Sequence, residues 1–216
     1  SFLSGCTVLA MTATSMLRSR GGSVKVEKRR GTLLAVGAAV GGILGKELFE
    51  LVRASGGVTV DIAQQVMMIL LTVGVFIYTL KHDGIRTRDV QNAAACVLIG
   101  LTLGLLSAFL GIGGGPINLA ILSFCFSMDS KTAALNSLYI ILFSQAASFI
   151  NTLVRGTVPE FDWLVLLAMC VGGVLGGIFG RSISAKLTNK GVDRLFLVIM
   201  AVITVISCYN LVMCFV

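Results

Sequence analysis

Charged and uncharged residues alternate in blocks along this chain. Uncharged, mostly apolar stretches cover 1–17, 31–45, 62–80, 90–128, 132–154, 163–180 and 195–216, and short charged clusters separate them. A helix needs about 20 largely apolar residues to cross the hydrocarbon layer of a bilayer. Most of these stretches fit one crossing, and 31–45 fits if the helix runs on to about Leu51. Lipid offers no partner to a backbone N–H or C=O, so each crossing must be helical. β-Barrel strands would show strict alternation over about ten residues, and that pattern is absent. The stretch 90–128 is too long for one crossing.

Composition agrees with this pattern. Of the 216 residues, 56% are apolar and only 12% charged, with a mean hydropathy of +0.96. A soluble domain carries about 25% charge, so a water-soluble enzyme is excluded, as are disordered and collagen-like chains. The fold class expected is an all-α integral membrane protein, a polytopic helical bundle. The net charge of +7 does not indicate a nucleic-acid partner, because the charges cluster in loops; the partner these segments require is the lipid bilayer. The six cysteines lie in apolar stretches without CxxC spacing and read as small buried hydrophobes. The single histidine, His82, sits in a loop beside Asp83, so no metal site and no cofactor are expected. The chain starts on Ser1 with residues already apolar. Without a basic leader or a small-residue cleavage pattern this is no signal peptide, and it reads as the interior of a longer protein.

Lys and Arg concentrate in cytoplasmic loops, which allows the two topologies to be compared. If 90–128 crosses once, the two sides carry 10 and 7 basic residues. If it leaves and returns to the same side, they carry 14 and 3. The second topology is therefore expected, with 90–128 a hairpin and the basic loops 18–30, 81–89 and 181–194 in the cytoplasm. Two full crossings and two re-entrant half-helices remain alternatives.

The chain also repeats itself. Val40-Gly41-Gly42-Ile43-Leu44-Gly45 returns as Val171-Gly172-Gly173-Val174-Leu175-Gly176, with five of six positions identical. Each copy follows a polar-flecked helix, a basic residue and a Gly-Ser-Val or Gly-Thr-Val step. Residues 1–80 and 90–216 thus read as two repeats, the second including the hairpin 90–128, and the first predicts an equivalent hairpin upstream of Ser1. Equivalent loops carry opposite charge bias, as expected of inverted repeats, the architecture of many secondary transporters.

The hairpin tip carries the candidate chemistry. Gly111-Ile112-Gly113-Gly114-Gly115-Pro116 cannot remain ordinary helix, since each Gly costs about 1 kcal/mol against Ala and Pro about 3. Pro116 suits the first turn of a new helix. A break here would present backbone N–H groups at a helix N-terminus, which favour an anion. The candidate substrate-binding residues are Gly113, Gly114, Gly115 and Asn118, with Ser137 and Ser144 from a polar stripe that also holds Ser148 and Asn151. Ser4, Thr7, Thr14 and Ser15 form a similar stripe in the first repeat. For both stripes the alternative is hydrogen bonding between helices. Glycines 172, 173, 176, 177 and 180 are expected to serve close helix packing. Lys46 and Arg181 close the two glycine-rich segments; they could draw anions, but the plainer reading is that they snorkel to the interface. No acid or base is expected deep in a span, and no catalytic group is visible.

The run Gly104-Leu-Leu-Ser107-Ala-Phe-Leu-Gly111-Ile-Gly-Gly-Gly-Pro116 resembles the signature of the sulfite exporter TauE/SafE family of membrane permeases. The Asn136-Ser137 helix, the Arg155-Gly156-Thr157-Val158 step and the glycine-rich helix from Val171 to Gly180 fit the same family. The resemblance spans the chain and is most specific over 100–182; the departure is the lack of an N-terminal glycine-rich segment. It implies a multi-pass permease of the plasma membrane, the inner membrane of a bacterium. Its substrate would be sulfite, a sulfonate or a related organosulfur or inorganic anion, and a homo-oligomer is left open. The competing reading is a membrane scaffold or assembly subunit without a substrate path. A polar cavity bounded by both repeats would favour the permease, and a dry, packed centre the scaffold.

Overall fold

The computed structural model describes residues 2–19, 27–56, 58–81, 87, 89–110, 115–156 and 161–213. Most of these residues are helical, and none of them forms a strand. In chain order the helices are α1 (Phe2–Ser19), α2 (Lys28–Gly56), α3 (Val58–Lys81), α4 (Ala93–Leu110), α5 (Gly115–Phe126), α6 (Ser130–Val154), α7 (Trp163–Lys186) and α8 (Asn189–Met213). Of these, α2, α3, α6, α7 and α8 are long and apolar enough to cross a membrane. Several run past the charged residues that bound the uncharged stretches. Thus α2 continues ten residues beyond Lys46, about 15 Å at 1.5 Å per residue, so Lys46 lies within a helix and does not close one.

Hydrogen bonds and ion pairs fix the direction of each helix. Arg30 pairs with Asp89 at 2.8 Å. Ser127 bonds Thr87, Ser130 bonds Asp193, and Lys131 donates to the Ala185 carbonyl. These ties gather the described residues beside the basic loops, together with Lys131, at one end of the bundle. Gln91 and then Arg30 bond the Asp89 carboxylate and hold its pKa below the usual value. The tie around Asp89 therefore contributes above the ordinary carboxylate pKa and fades as pH falls through the lowered one. At the opposite end Glu47 pairs with Arg155 at 2.5 Å, and Phe2 stacks on Phe149 and Phe161.

The hairpin returns to the side it left. The Val90 N–H, before α4, donates to the Cys125 carbonyl at the end of α5 at 3.0 Å. The 18 residues of α4 reach about 27 Å, but the 12 of α5 only about 18 Å, short of a hydrocarbon layer of about 30 Å. So α5 is a half-helix. It opens on Gly115 and Pro116, where the missing proline N–H leaves no bond unmade. Residues 111–114, and with them Gly113 and Gly114, lie outside the described residues.

Glycine sets the closest packing. A Cβ at Gly41 would lie 2.1 Å from the Leu101 carbonyl oxygen, and one at Gly37 2.2 Å from that of Val97. In return, Gly100 and Gly104 on α4 meet the Leu34 and Ala38 carbonyl oxygens at 2.2 Å each. The pairs climb together, so α2 and α4 run parallel with backbones in contact. On α7, Gly173 and Gly177 approach the Thr7 and Met11 carbonyl oxygens of α1, whereas Gly172, Gly176 and Gly180 meet nothing within 4 Å. The packing role expected for the five glycines of α7 is thus seen at two. After α6 the chain turns at Gly156, whose φ of +65° suits glycine.

The half of the bundle nearer the basic loops is packed with apolar side chains. Leu34, Ala38, Leu119, Leu122, Ala133 and Ile140 from α2, α5 and α6 form its centre. Gly41→Ala or Gly104→Ala should cost about 1–3 kcal/mol through overpacking, read as a lowered melting temperature of the purified protein. Gly176→Ala, with open space at its Cβ, should leave the melting temperature unchanged or raise it slightly.

Candidate functional site

The other half of the bundle holds a partly open cavity of about 190 Å³ between α1, α2, α4 and α6. Its wall alternates apolar and polar groups because each helix presents its small-residue or hydroxyl stripe inward. From α1 come Phe2, Ser4, Gly5 and Val8; from α2, Gly42 and Lys46; from α4, Ser107 and Ala108; from α6, Ser144, Gln145, Ser148, Phe149 and Thr152. The α6 hydroxyls at 144, 148 and 152 recur every four residues and so share one face. Lys46 is the cavity's only charged residue among those described. Its ammonium donates to Thr152 Oγ1 at 2.9 Å, while the Thr152 hydroxyl donates to the Ser148 carbonyl at 2.9 Å.

Below the cavity, toward the apolar half, lies a smaller chamber of about 10 Å³, the size of one water molecule. Ser107, Ser144 and Gln145 border both spaces. Asn118 stands on the far wall of the chamber. It is 1% exposed, and its Oδ1 has no hydrogen-bond partner. A buried polar atom left unpaired costs about 1–3 kcal/mol, so Asn118 is placed for contact with water or a ligand. Ser144 spends its hydroxyl proton on the Ala38 carbonyl at 3.0 Å and can still accept a bond.

The sequence-derived candidates fall into distinct places. Ser144 lines the cavity and the chamber, and Asn118 the chamber alone. Ser137 is buried two turns nearer the basic end and borders neither space. Gly115 opens α5 with no neighbour within 4 Å of its Cβ position. Of the first-repeat stripe only Ser4 reaches the cavity. Thr7 and Thr14 bond carbonyls of their own helix, and Ser15 alone of the stripe takes the interhelical role, reaching Gly177 O on α7 at 3.4 Å. Sequence reading allowed Lys46 to draw anions but preferred an interfacial role for it, and passed over Thr152 and Ser107 as site residues. Lys46 was set aside for its place at the edge of an uncharged stretch, and Thr152 was hidden by its neighbour Asn151, which lies on a different face. Among the described residues no group of three or more His, Cys, Asp or Glu side chains gathers as a metal site would require.

The family model described as sulfite exporter TauE/SafE matches residues 2–206. The chain belongs to the TauE/SafE sulfite exporter family. It is accordingly a multi-pass membrane protein of a family of transporters for sulfur-containing anions. No curated protein matches the chain, and no solved structure does. Within this TauE/SafE chain the glycine-rich signature maps to the hairpin of α4 and α5, whose inner wall contributes Ser107 and Asn118 to the two spaces.

The order of these spaces predicts a gradient of access. A cysteine placed at Ser148 should react readily with a hydrophilic thiol reagent in membrane vesicles, one at Ser144 more slowly, and one at Ser137 hardly at all. Labelling after digestion and mass spectrometry reads the order. Equal labelling of all three would show that the apolar half of the bundle does not seal the cavity from the basic end.

Proposed function

We propose that this protein is a plasma-membrane permease, of the kind found in a bacterial inner membrane, and that it carries sulfite, a sulfonate or a related small sulfur oxyanion. The observation that carries the reading is the hydroxyl-lined cavity ending against an apolar seal. A scaffold would have no use for such a space, because polar groups within a bundle are costly unless they are paired. A sulfite or sulfonate group offers three acceptor oxygens, and the hydroxyls of Ser4, Ser107 and Ser148 and the Gln145 amide of the wall can donate to them, with Ser144 joining them when its hydroxyl turns from the Ala38 carbonyl. The substrate site would comprise Ser144 and Asn118, with the backbone N–H groups of Gly113, Gly114 and Gly115 at the positive end of the α5 dipole. Ser137 would meet the substrate only after the seal parts. Several neutral donors hold an anion less firmly than a bidentate guanidinium does, which suits a carrier that must release its load.

Alternating access follows from the two repeats, 1–80 and 90–216. Helix packing supports their being inverted copies. α1 packs on α7 as α6 packs on α2, while α1 and α6 face each other, as do α3 and α8. The contacts of Phe2 with Phe149 and of Gly5 with Gln145 run α1 antiparallel to α6. The contacts of Thr7 with Gly173 and of Lys46 with Thr152 run α7 along α1 and α2 along α6, so α2 and α7 also oppose. In this mechanism one repeat rocks against the other. The close α2–α4 contact would keep the hairpin with α2, and the moving surface would be the α2–α6 and α1–α7 contacts. The basic loops would face the cytoplasm, making the present cavity the one on the outer side.

Counterflow of labelled sulfite, taurine and sulfoacetate in vesicles containing the full-length protein tests the reading. Sulfite counterflow above protein-free vesicles is expected, with Ser144→Leu cutting the rate at least tenfold by filling the cavity neck and Gly114→Val cutting it similarly. Counterflow of none of the three anions would favour the scaffold. Parent rates in a correctly inserted Gly114→Val protein would remove the hairpin tip from the site.

A further inference from the structure

We infer that Lys46 and Thr152 form an anion-binding station in the outer cavity, the point at which a sulfur oxyanion first docks by charge. The inference rests on the permease reading for its ligand class, but its observations are separate. Lys46 lies well inside α2, and its side chain reaches into the cavity. An ammonium partly withdrawn from water calls for a negative partner. Among the described residues none is paired with it. The adjacent Glu47 is held by Arg155, and Glu50, one turn on, forms no ion pair with Lys46. Among the described residues the hydrogen-bond partner of Lys46 Nζ is the neutral Thr152 hydroxyl. That hydroxyl acts as a positioning group: its own proton is committed to the Ser148 carbonyl, so it can only accept from the ammonium. It steers the Lys46 side chain against α6 without neutralising it.

An ammonium has three donors, and Thr152 takes one. Two remain for a ligand, and the cavity is the space they border. The ligand that satisfies two N–H donors and one positive charge is a small oxyanion with at least two accessible oxygens, as in sulfite or a sulfonate head. Ser148 and Ser144 stand one and two turns further in on the same face of α6, followed by Gln145, Ser107 and then Asn118. The charge therefore sits at the mouth and only neutral groups lie deeper. An anion is attracted by Lys46 and handed to weaker hydroxyl and amide contacts. A lysine suits this role better than an arginine, since it is a compact charge on a flexible stem rather than a rigid fork.

The test is sulfite binding to the purified full-length protein by titration calorimetry, with Lys46→Gln, Lys46→Arg and Thr152→Val beside the parent. A charged hydrogen-bonding contact is worth about 1.5–3 kcal/mol, so Lys46→Gln should weaken binding about tenfold to a hundredfold. Lys46→Arg should keep most of the affinity. Thr152→Val breaks the same interhelical bond but keeps the charge, and it should stay within a few-fold of the parent. If Thr152→Val and Lys46→Gln weaken binding alike, the residue is a structural tie and the inference falls. Parent affinity in Lys46→Gln also overturns it. A second measurement needs no variant: sulfite should protect Lys46, but not the exposed Lys186, from an amine-acylating reagent mapped by mass spectrometry. Absence of that protection overturns the inference. The two readings fail separately. Sulfite counterflow that is unchanged in Lys46→Gln leaves the permease and removes the station. Lys46-dependent sulfite binding without counterflow keeps the station and removes the permease.

Discussion

Two helix backbones in contact organise this molecule. Where Gly37, Gly41 and Gly45 of α2 meet Val97, Leu101 and Leu105 of α4, and Gly100 and Gly104 of α4 meet Leu34 and Ala38 of α2, carbonyl oxygens occupy the space that side chains would take. Between helices in lipid there is no hydrophobic drive, so close van der Waals contact has to do the holding. The contact ties the re-entrant hairpin to α2 along the full height of α4. It thereby brings Ser107, in the last turn of α4, and Asn118, in the first turn of α5, to the wall of the space that α2 shares with α6. Had the glycines been larger, α4 would stand off by a side-chain diameter and the two walls would not meet.

The same economy of volume explains why polar and apolar regions separate along the bundle axis. Toward the basic loops, Leu34, Leu122 and Ile140 fill the gap between α2, α5 and α6. Toward the other end the facing positions are Gly42, Ser144, Ser148 and Thr152. Small hydroxyl residues leave room; the Thr152 hydroxyl bonds back to the Ser148 carbonyl of its own helix, and the Ser144 hydroxyl bonds across to the Ala38 carbonyl. A wall of this kind is polar but uncharged, so it tolerates both water and an anion. One lysine then determines the sign of what the cavity attracts.

Among the described residues the ion pairs lie at the two ends, Arg30 with Asp89 and Glu47 with Arg155. Exposed pairs of this kind contribute little to stability, about 0–1 kcal/mol, which makes them suitable as contacts that break and reform. The apolar cluster and the glycine contact carry the packing, and Ala38, Ile140 and Gly104 from them also border the small chamber.

Much of this was legible in the residues alone. A block pattern of uncharged stretches dictates membrane helices because lipid leaves backbone groups no other partner. The loop charges selected a returning hairpin, and the ties at the basic end have that arrangement. Gly-Gly-Gly-Pro called for a broken helix, and α5 starts on Gly115. The glycine signature also pointed to the family. Position within a helix was less accessible. Lys46 read as a helix end because charge marks span boundaries on average, yet α2 runs ten residues further. The stripe on α6 held Ser144 and Ser148 correctly, but whether a hydroxyl on that stripe faces a cavity or packed side chains depends on which neighbour lies opposite. Ser137 faces the filled half of the bundle and Thr152 the open half. Helical period determines which residues share a face; only the packing of α1, α2 and α4 against that face determines where along it space remains, because a cavity is a property of several helices at once and is encoded in none of them alone.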